Sequence, residues 1–490
     1  MLRTQSAVEF SQELTMYISY ITLLMSMLLV HPTPTPLTLD NVPWDLKTTQ
    51  GPDSESGGWY INLGITGARA KILRERPSEF EIAYVFEDTP AAQHLAIGDR
   101  IVGVSNSTFS TPHTFGYGVG KFGYEGPMME LAAALETAEI TGLLPLQIIR
   151  GEDTRRLEIK LPTSRTPFAK TYPFNCEHTD KILTHILPWL AERQNPNGMW
   201  SDRPHINAFA ALAMLASGDQ TYGPHAKKAA KAFAKATQSR IEYEGLDCWK
   251  YSLYGMYLSE YFLATQEKWV LKELEEINSW LTKAQISDGG WGHRPALRPG
   301  GNGYGSICIL TMQAKITMGL MAKCGLEIDT KQYLAAHNFV TEGTNSTGYV
   351  WYKNEGKENS GYADMGRTGA AAIAHALSPT SPGYHDYAQK AAECIGNHPD
   401  TFSDTHGSPI LGMVWTALGA GVNQEAFRNL MDHNRWWFTL ARCPDGSYYY
   451  QPNRDNNPQD YTAAPRLSAT AATALILLMK DSRLEMMSNQ

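Results

Sequence analysis

Gln194-Asn-Pro-Asn-Gly198-Met-Trp200 and Gln285-Ile-Ser-Asp-Gly289-Gly-Trp291 share one pattern, Q-x-x-x-G-x-W. Arg442-Cys-Pro-Asp-Gly446-Ser-Tyr448 is a degenerate copy. Each part has a physical task. Glycine takes the left-handed backbone that ends a helix. A glutamine side chain can bond the backbone groups that a helix end leaves orphaned. A tryptophan is a large apolar plug with one N–H to place. A helix-ending staple that recurs marks a chain of repeated helical units.

Outward from these turns, the helices fall into two kinds. Segments 178–193, 224–238, 268–284, 330–341, 383–396 and 423–441 are polar or amphipathic. Between them lie 205–217, 249–264, 304–322, 367–378, 408–420 and 466–480, which carry little charge. Stretches such as HINAFAALAMLASG and RLSATAATALILLM are apolar all round. Such a helix must be buried on every side. The order is therefore outer, inner, outer, inner, six times, with connections of unequal length.

On these turns and this six-pair count, residues 175–482 resemble the α/α toroid of squalene–hopene cyclases and protein prenyltransferase β-subunits. The same architecture occurs in some polysaccharide lyases and glycosidases and in complement-type thioester domains. The resemblance implies an all-α (α/α)6 toroid and leaves the chemistry open.

Residues 56–162 read differently. FEIAYVF alternates as a half-buried strand does, PLQIIRG and RRLEIKLP flank a Gly-Glu-Asp turn, and Met128 to Ile140 has helical spacing. Asp88-Thr89-Pro90-Ala91-Ala92, Leu95, Gly98-Asp99-Arg100-Ile101 and Val104 resemble the corresponding segment of bacterial PDZ domains. Leu63-Gly64-Ile65 looks like the carboxylate-binding loop of that family. The resemblance implies capture of a C-terminal peptide, since successive backbone N–H groups in such a loop hold a carboxylate. A Gly/aromatic insertion, GYGVGKFGYEG, precedes the helix that would flank the groove and could cover it. The expected fold class is multi-domain α+β, a small β-rich PDZ-like domain followed by the toroid. As a whole the arrangement resembles a bacterial family of PDZ–toroid proteins.

Composition bounds the partners. The 490 residues carry 42 Lys+Arg against 50 Asp+Glu, a net charge of −8, which excludes a generalised basic surface for nucleic acid. Charged residues are 19% and hydrophobic residues 43%, so a large core is available. The six cysteines are scattered without a C-x-x-C, and buried free thiols are the expectation. Residues 16–30, MYISYITLLMSMLLV, form an uncharged run of signal-peptide length, followed by a Pro/Thr spacer to residue 36. Secretion or a periplasmic location is the expectation, with that run either cleaved or kept as an anchor, the only membrane contact.

No D-x-D-D for alkene protonation, no D-D-x-x-D diphosphate clamp and no G-C-G-E-Q thioester occurs. Asp247-Cys248 is adjacent and lacks a third zinc ligand, so neither metal nor cofactor is expected. What remains is a set of polar residues in the connections that lead into the inner helices. They are Asp202 and His205, His293 and Arg294, Asp364 and Arg367, Asp404 and His406, and Asp460 and Arg466. All outer-to-inner connections of a toroid lie at one end, where inner-helix N-termini add positive partial charge. Asp404 with His406 is the best acid/base pair, with His205 and His293 as further candidates. Asp364 and Arg367 would orient a carboxylate. Trp249, Tyr251, Tyr254, Tyr304 and Tyr362 would line the wall, with Arg294 and Arg466 binding ligand. Each Asp can also be read as a helix cap. The leading expectation is a cavity for a polysaccharide or other small molecule, with lyase or hydrolase chemistry. The alternatives are a non-catalytic scaffold or peptide-binding protein and a terpenoid cyclase-like enzyme.

Overall fold

The computed structural model describes residues 38–39, 42–43, 60–113, 126–164, 166–238, 246–295, 305–355, 362–379, 384–402, 409–449 and 465–487. Residues 16–30 lie outside this set. No helix among the described residues is long and apolar enough to cross a membrane.

The β-rich part is one antiparallel sheet. Its strands are β1 (Ile61–Asn62), β2 (Ala68–Leu73), β3 (Arg76–Val85), β4 (Arg100–Val104), β5 (Ser107–Thr108), β6 (Leu143–Arg150) and β7 (Asp153–Lys160). The order is β1-β2-β3-β4-β6-β7, with β5 paired to β4. Phe80, Ile82, Ile101, Leu144, Leu146 and Ile148 alternate inward and meet helix α1 (Pro127–Thr141) through Leu131, Ala132 and Leu135. The predicted Gly-Glu-Asp hairpin joins β6 to β7.

The helical part realises the alternation. The inner helices are α3 (Pro204–Ala216), α5 (Asp247–Thr265), α7 (Cys308–Lys323), α9 (Gly366–Ala376), α11 (Pro409–Ala420) and α14 (Pro465–Leu477). Each packs on the next, and α14 packs back on α3, which closes the ring. The outer helices are α2 (Glu177–Glu192), α4 (Gly223–Ala236), α6 (Trp269–Ala284), α8 (Thr330–Glu342) and α10 (Tyr384–Asn397), then a pair, α12 (Gln424–His433) and α13 (Arg435–Ala441). The sixth outer segment is thus two helices, broken at Asn434, whose side chain turns back to the Leu430 carbonyl.

The turns explain the repeat. Gly198, Gly289, Gly348 and Gly446 have φ of +92°, +92°, +90° and +82°. After each, a backbone N–H is received by a polar side chain near the start of the following inner helix. Trp200 N donates to Asn207 Oδ1 (2.7 Å), Trp291 N to Thr311 Oγ1 (3.1 Å), Val350 N to Thr368 Oγ1 (3.1 Å) and Tyr448 N to Thr470 Oγ1 (2.9 Å). The Gln side chains do more than cap. Gln194 Nε2 donates to the Gly198 and His225 carbonyls, both at 3.0 Å. Gln285 Nε2 donates to those of Gly289 (2.8 Å) and Gln332 (2.9 Å). Each therefore ties the end of one outer helix to the beginning of the next. Trp200 and Trp291 place their Nε1–H on Leu190 and Leu281 carbonyls of the preceding helix.

The sheet is docked on the toroid. The Asn62 amide donates to the carbonyls of Leu440 and Arg442. Glu136 of α1 pairs with Arg435 (3.1 Å) and accepts from Thr439 (3.0 Å), and Glu139 pairs with Arg442 (3.1 Å). The buried Arg69 guanidinium lies 3.7 Å over the Tyr449 ring.

Candidate functional site

Each inner helix of an alternating ring begins at the end where its outer helix stops, and that end is the candidate mouth. Of the outer-to-inner connections, residues 239–245, 296–304, 356–361, 403–408 and 450–464 are outside the described set. Asp404, His406, Tyr304 and Asp460 fall there.

The ring beneath this mouth is filled. From Ile206 to Met214 on α3 and from Cys308 to Met321 on α7, every residue is buried. Phe209 of α3 meets Trp415 of α11 across the ring, with centroids 5.9 Å apart. These two helices are not neighbours in the ring, so the contact occupies its interior. A deep aromatic-lined cavity is therefore not what the inner helices enclose at that depth, and the candidate site is confined to the mouth.

The predicted residues divide there. Tyr251 stacks on Trp280 of outer helix α6 (3.9 Å, 8°) and donates to the Thr237 carbonyl. Tyr254 stacks on Phe233 of α4 (4.1 Å, 6°). Both are wedges between inner and outer helices rather than wall residues, because their rings are long enough to bridge the two layers. Arg367 is buried and donates to Asp364 Oδ2 (2.9 Å), the Val350 carbonyl (3.2 Å) and Tyr349 Oη (3.0 Å). Arg466 is likewise buried on Asp445 and Ser447. Both arginines brace the turn before their own helix, and neither is arranged to receive a ligand carboxylate. Asp364 is held in the first of these brackets and has φ +54°.

The mouth retains Trp249, His293, Arg294, His205 and Tyr362. Trp249 stands in the first turn of α5 and donates its Nε1–H to His293 Nδ1 (2.9 Å), so the two rings meet edge to edge with centroids 6.0 Å apart. That bond makes Nδ1 an acceptor and puts the neutral imidazole's proton on Nε2. Burial, then the neighbouring Arg294, lowers the His293 pKa. Burial and Arg203 push that of His205 down to about 4. Both imidazoles are neutral at pH 7. Tyr362, before α9, stacks on His398, after α10, at 3.6 Å and 17°. His398 was not anticipated, since a lone histidine after an outer helix carries no sequence pattern. No group of three or more His, Cys, Asp or Glu among the described residues could hold a metal ion.

The Leu63-Gly64-Ile65 loop is not open. All three residues are buried, and a Cβ on Gly64 would stand 2.9 Å from Leu135 and 3.2 Å from the Thr439 carbonyl. Helix α13 of the toroid covers the place where a peptide carboxylate would enter. The groove that the PDZ resemblance implies is therefore occupied within the chain.

A family model described as "Domain of unknown function (DUF6288)" matches residues 179–486, more than half of the chain. No curated protein matches. Among solved structures, similar chains include the GH76A α-1,6-mannanase from Salegentibacter sp. HEL1_6, with TM-score 0.45, 11% identity, 62% of this chain and 98% of that one covered. A GH76 α-mannanase from Bacteroides thetaiotaomicron has TM-score 0.44, 10% identity and coverage of 64% and 98%. A type II terpene cyclase from Scytonema has TM-score 0.42, 13% identity and coverage of 62% and 98%. These are low-scoring likenesses of chain path, and the activities and ligands named belong to those proteins.

Proposed function

Because this chain belongs to the DUF6288 family, whose description names no activity, we propose its function from the toroid mouth: an extracytoplasmic protein that binds a saccharide there. The observation that supports this reading is the two partly exposed aromatic pairs, Trp249 hydrogen-bonded edge to edge with His293 and Tyr362 stacked on His398. They belong to the entrances of α5, α7, α9 and α11, consecutive around the ring. Aromatic faces with polar edges suit sugar rings, which offer apolar faces and hydroxyl rims. Inner-helix N-termini at the same end suit an anionic group.

Binding is tested with a panel of neutral and uronic-acid oligosaccharides, followed by calorimetry. Trp249→Ala is expected to weaken the best ligand about tenfold, the ~1.4 kcal/mol that an aromatic platform supplies. An unchanged affinity in a folded Trp249→Ala protein, or no ligand in the panel, refutes the reading. Chemistry is the finer proposal. Asp404 and His406 are the acid/base pair, and incubation with uronic-acid polymers is expected to yield unsaturated products. His406→Ala should abolish them and leave binding intact. Binding without turnover in the parent protein would reduce the proposal to a binding module.

The β-rich part is read as a packing module rather than a peptide receptor, on the single observation that α13 fills its loop.

A further inference from the structure

Lys315 stands midway along inner helix α7, where every neighbour from Cys308 to Met321 is uncharged. It is fully buried. Its ammonium enters the wedge between inner helices α7 and α9 and outer helices α8 and α10. There Nζ lies 3.4 Å from His337 Nδ1 of α8, its one hydrogen-bond partner among the described residues, and over the rings of Tyr333 (4.8 Å) and Tyr384 (5.3 Å). His337 stacks on Tyr384 at 3.7 Å and meets His375 of α9 edge-on at 5.1 Å. His375 is buried and its Nδ1 has no hydrogen-bond partner among the described residues. From α10, Tyr384 and Tyr387 face both imidazoles. The other helices packed on α7, inner α5 and outer α6, bring no charged group to Lys315 among the described residues. Three bases thus share a buried wedge with tyrosine rings and, among the described residues, no acid.

We propose that Lys315, His337 and His375 form a proton-operated latch that holds outer helices α8 and α10 to the ring most tightly while the cluster carries no proton, and loosens its hold with each proton the cluster must take up. A cation buried without a counter-charge is costly, and each added proton raises that cost. Opening the wedge hydrates all three groups. Tyr333 begins α8, Tyr384 begins α10 and His375 ends α9, so the latch lies toward the end opposite the mouth and does not rest on the saccharide reading.

The direction of the pH effect follows. Burial pushes the Lys315 amine down to about 7 from 10.5, so the opened form binds one proton more than the closed form between those values. Opening therefore becomes about tenfold more favourable for each unit of fall in pH across that window. Below 6.5 the two imidazoles add to this, because burial, then Lys315, holds His337 down to about 3 and His375 well below its ordinary value. The closed wall is tightest in alkali and loosens in acid.

The test is amide hydrogen exchange of the full chain from about pH 9.5 to about pH 5.5, corrected for intrinsic rates, read on peptides from 330–342 and 384–397. In the parent protein, opening should rise about tenfold for each unit of fall in pH down to pH 7.5, and more steeply as pH falls below 6. Lys315→Met should flatten the upper window. His337→Asn with His375→Asn should keep the upper window and flatten the lower. Equal pH slopes in all three proteins overturn the latch. If Lys315→Met does not fold, a parent-like slope below pH 6 in the histidine double variant overturns it alone.

Discussion

Replacing Gly369 with valine should leave no stably closed toroid. Gly369 sits on inner helix α9 against α11, and a Cβ there would fall deep inside contact with the Trp415 carbonyl oxygen. Gly419 returns the contact from α11 onto Gly369, and a Cβ on Gly366 would stand 2.5 Å from the Gly412 Cα. The obstacle on each side is backbone, which cannot rotate away as a side chain can. Overpacking a closed core costs about 1–3 kcal/mol when side chains can adjust, and more when they cannot. With two helices of a ring forced apart, we expect a loss of ~3 kcal/mol or more, or insoluble protein. Chemical denaturation of Gly369→Val beside Gly223→Ala decides it. Gly223 has open space at its Cβ, so its variant should match the parent.

The second large effect is expected at Trp291. Its ring is fully buried, its Nε1–H satisfies the Leu281 carbonyl (3.0 Å), and its backbone N–H is received by Thr311. Trp291→Ala removes the plug, leaves the carbonyl of an outer helix end without its donor and opens a cavity between two units. Truncating a buried aromatic costs about 3–5 kcal/mol. Trp291→Phe separates the contributions. It refills most of the cavity and lacks the N–H, so it should recover most of the loss and remain about 1 kcal/mol below the parent. A Trp291→Phe variant no better than Trp291→Ala would mean that the hydrogen bond, not the volume, carries the staple.

The fold was legible where local chemistry and burial point the same way. Gly198 and Gly289 announce turns because backbone conformation demands them, and apolar-all-round helices announce an interior because water does. The turn at Gly348 is hidden in the sequence for a physical reason. Asn345-Ser-Thr-Gly348-Tyr-Val350 keeps the left-handed glycine and the hydrogen bond to Thr368 but has neither Gln nor Trp. Backbone geometry repeats there while side chains have drifted. The site was less legible, because a polar residue before a helix has two uses. Arg367 and Arg466 were expected to face a ligand and instead brace turns. Tyr251 and Tyr254 were assigned to a wall, but periodicity alone does not say which flank of a buried helix meets its outer partner. Lys315 is visible in the sequence as the one charge on an otherwise uncharged stretch from Cys308 to Met321.

A ring closed from a single chain has one seam, where the last unit meets the first. Here it runs where α14 meets α2 and α3, and where Asp445 accepts from Trp189 of α2. The sheet is fastened beside that seam, with Asn62, Glu136 and Glu139 holding Arg435 to Arg442. It works as the buckle of a belt. Opening at any other joint breaks a contact between adjacent units of chain, whereas opening at the seam separates segments more than two hundred residues apart, with nothing covalent to return them. A toroid cut free of its sheet should therefore fray first at the seam, from both of its ends at once.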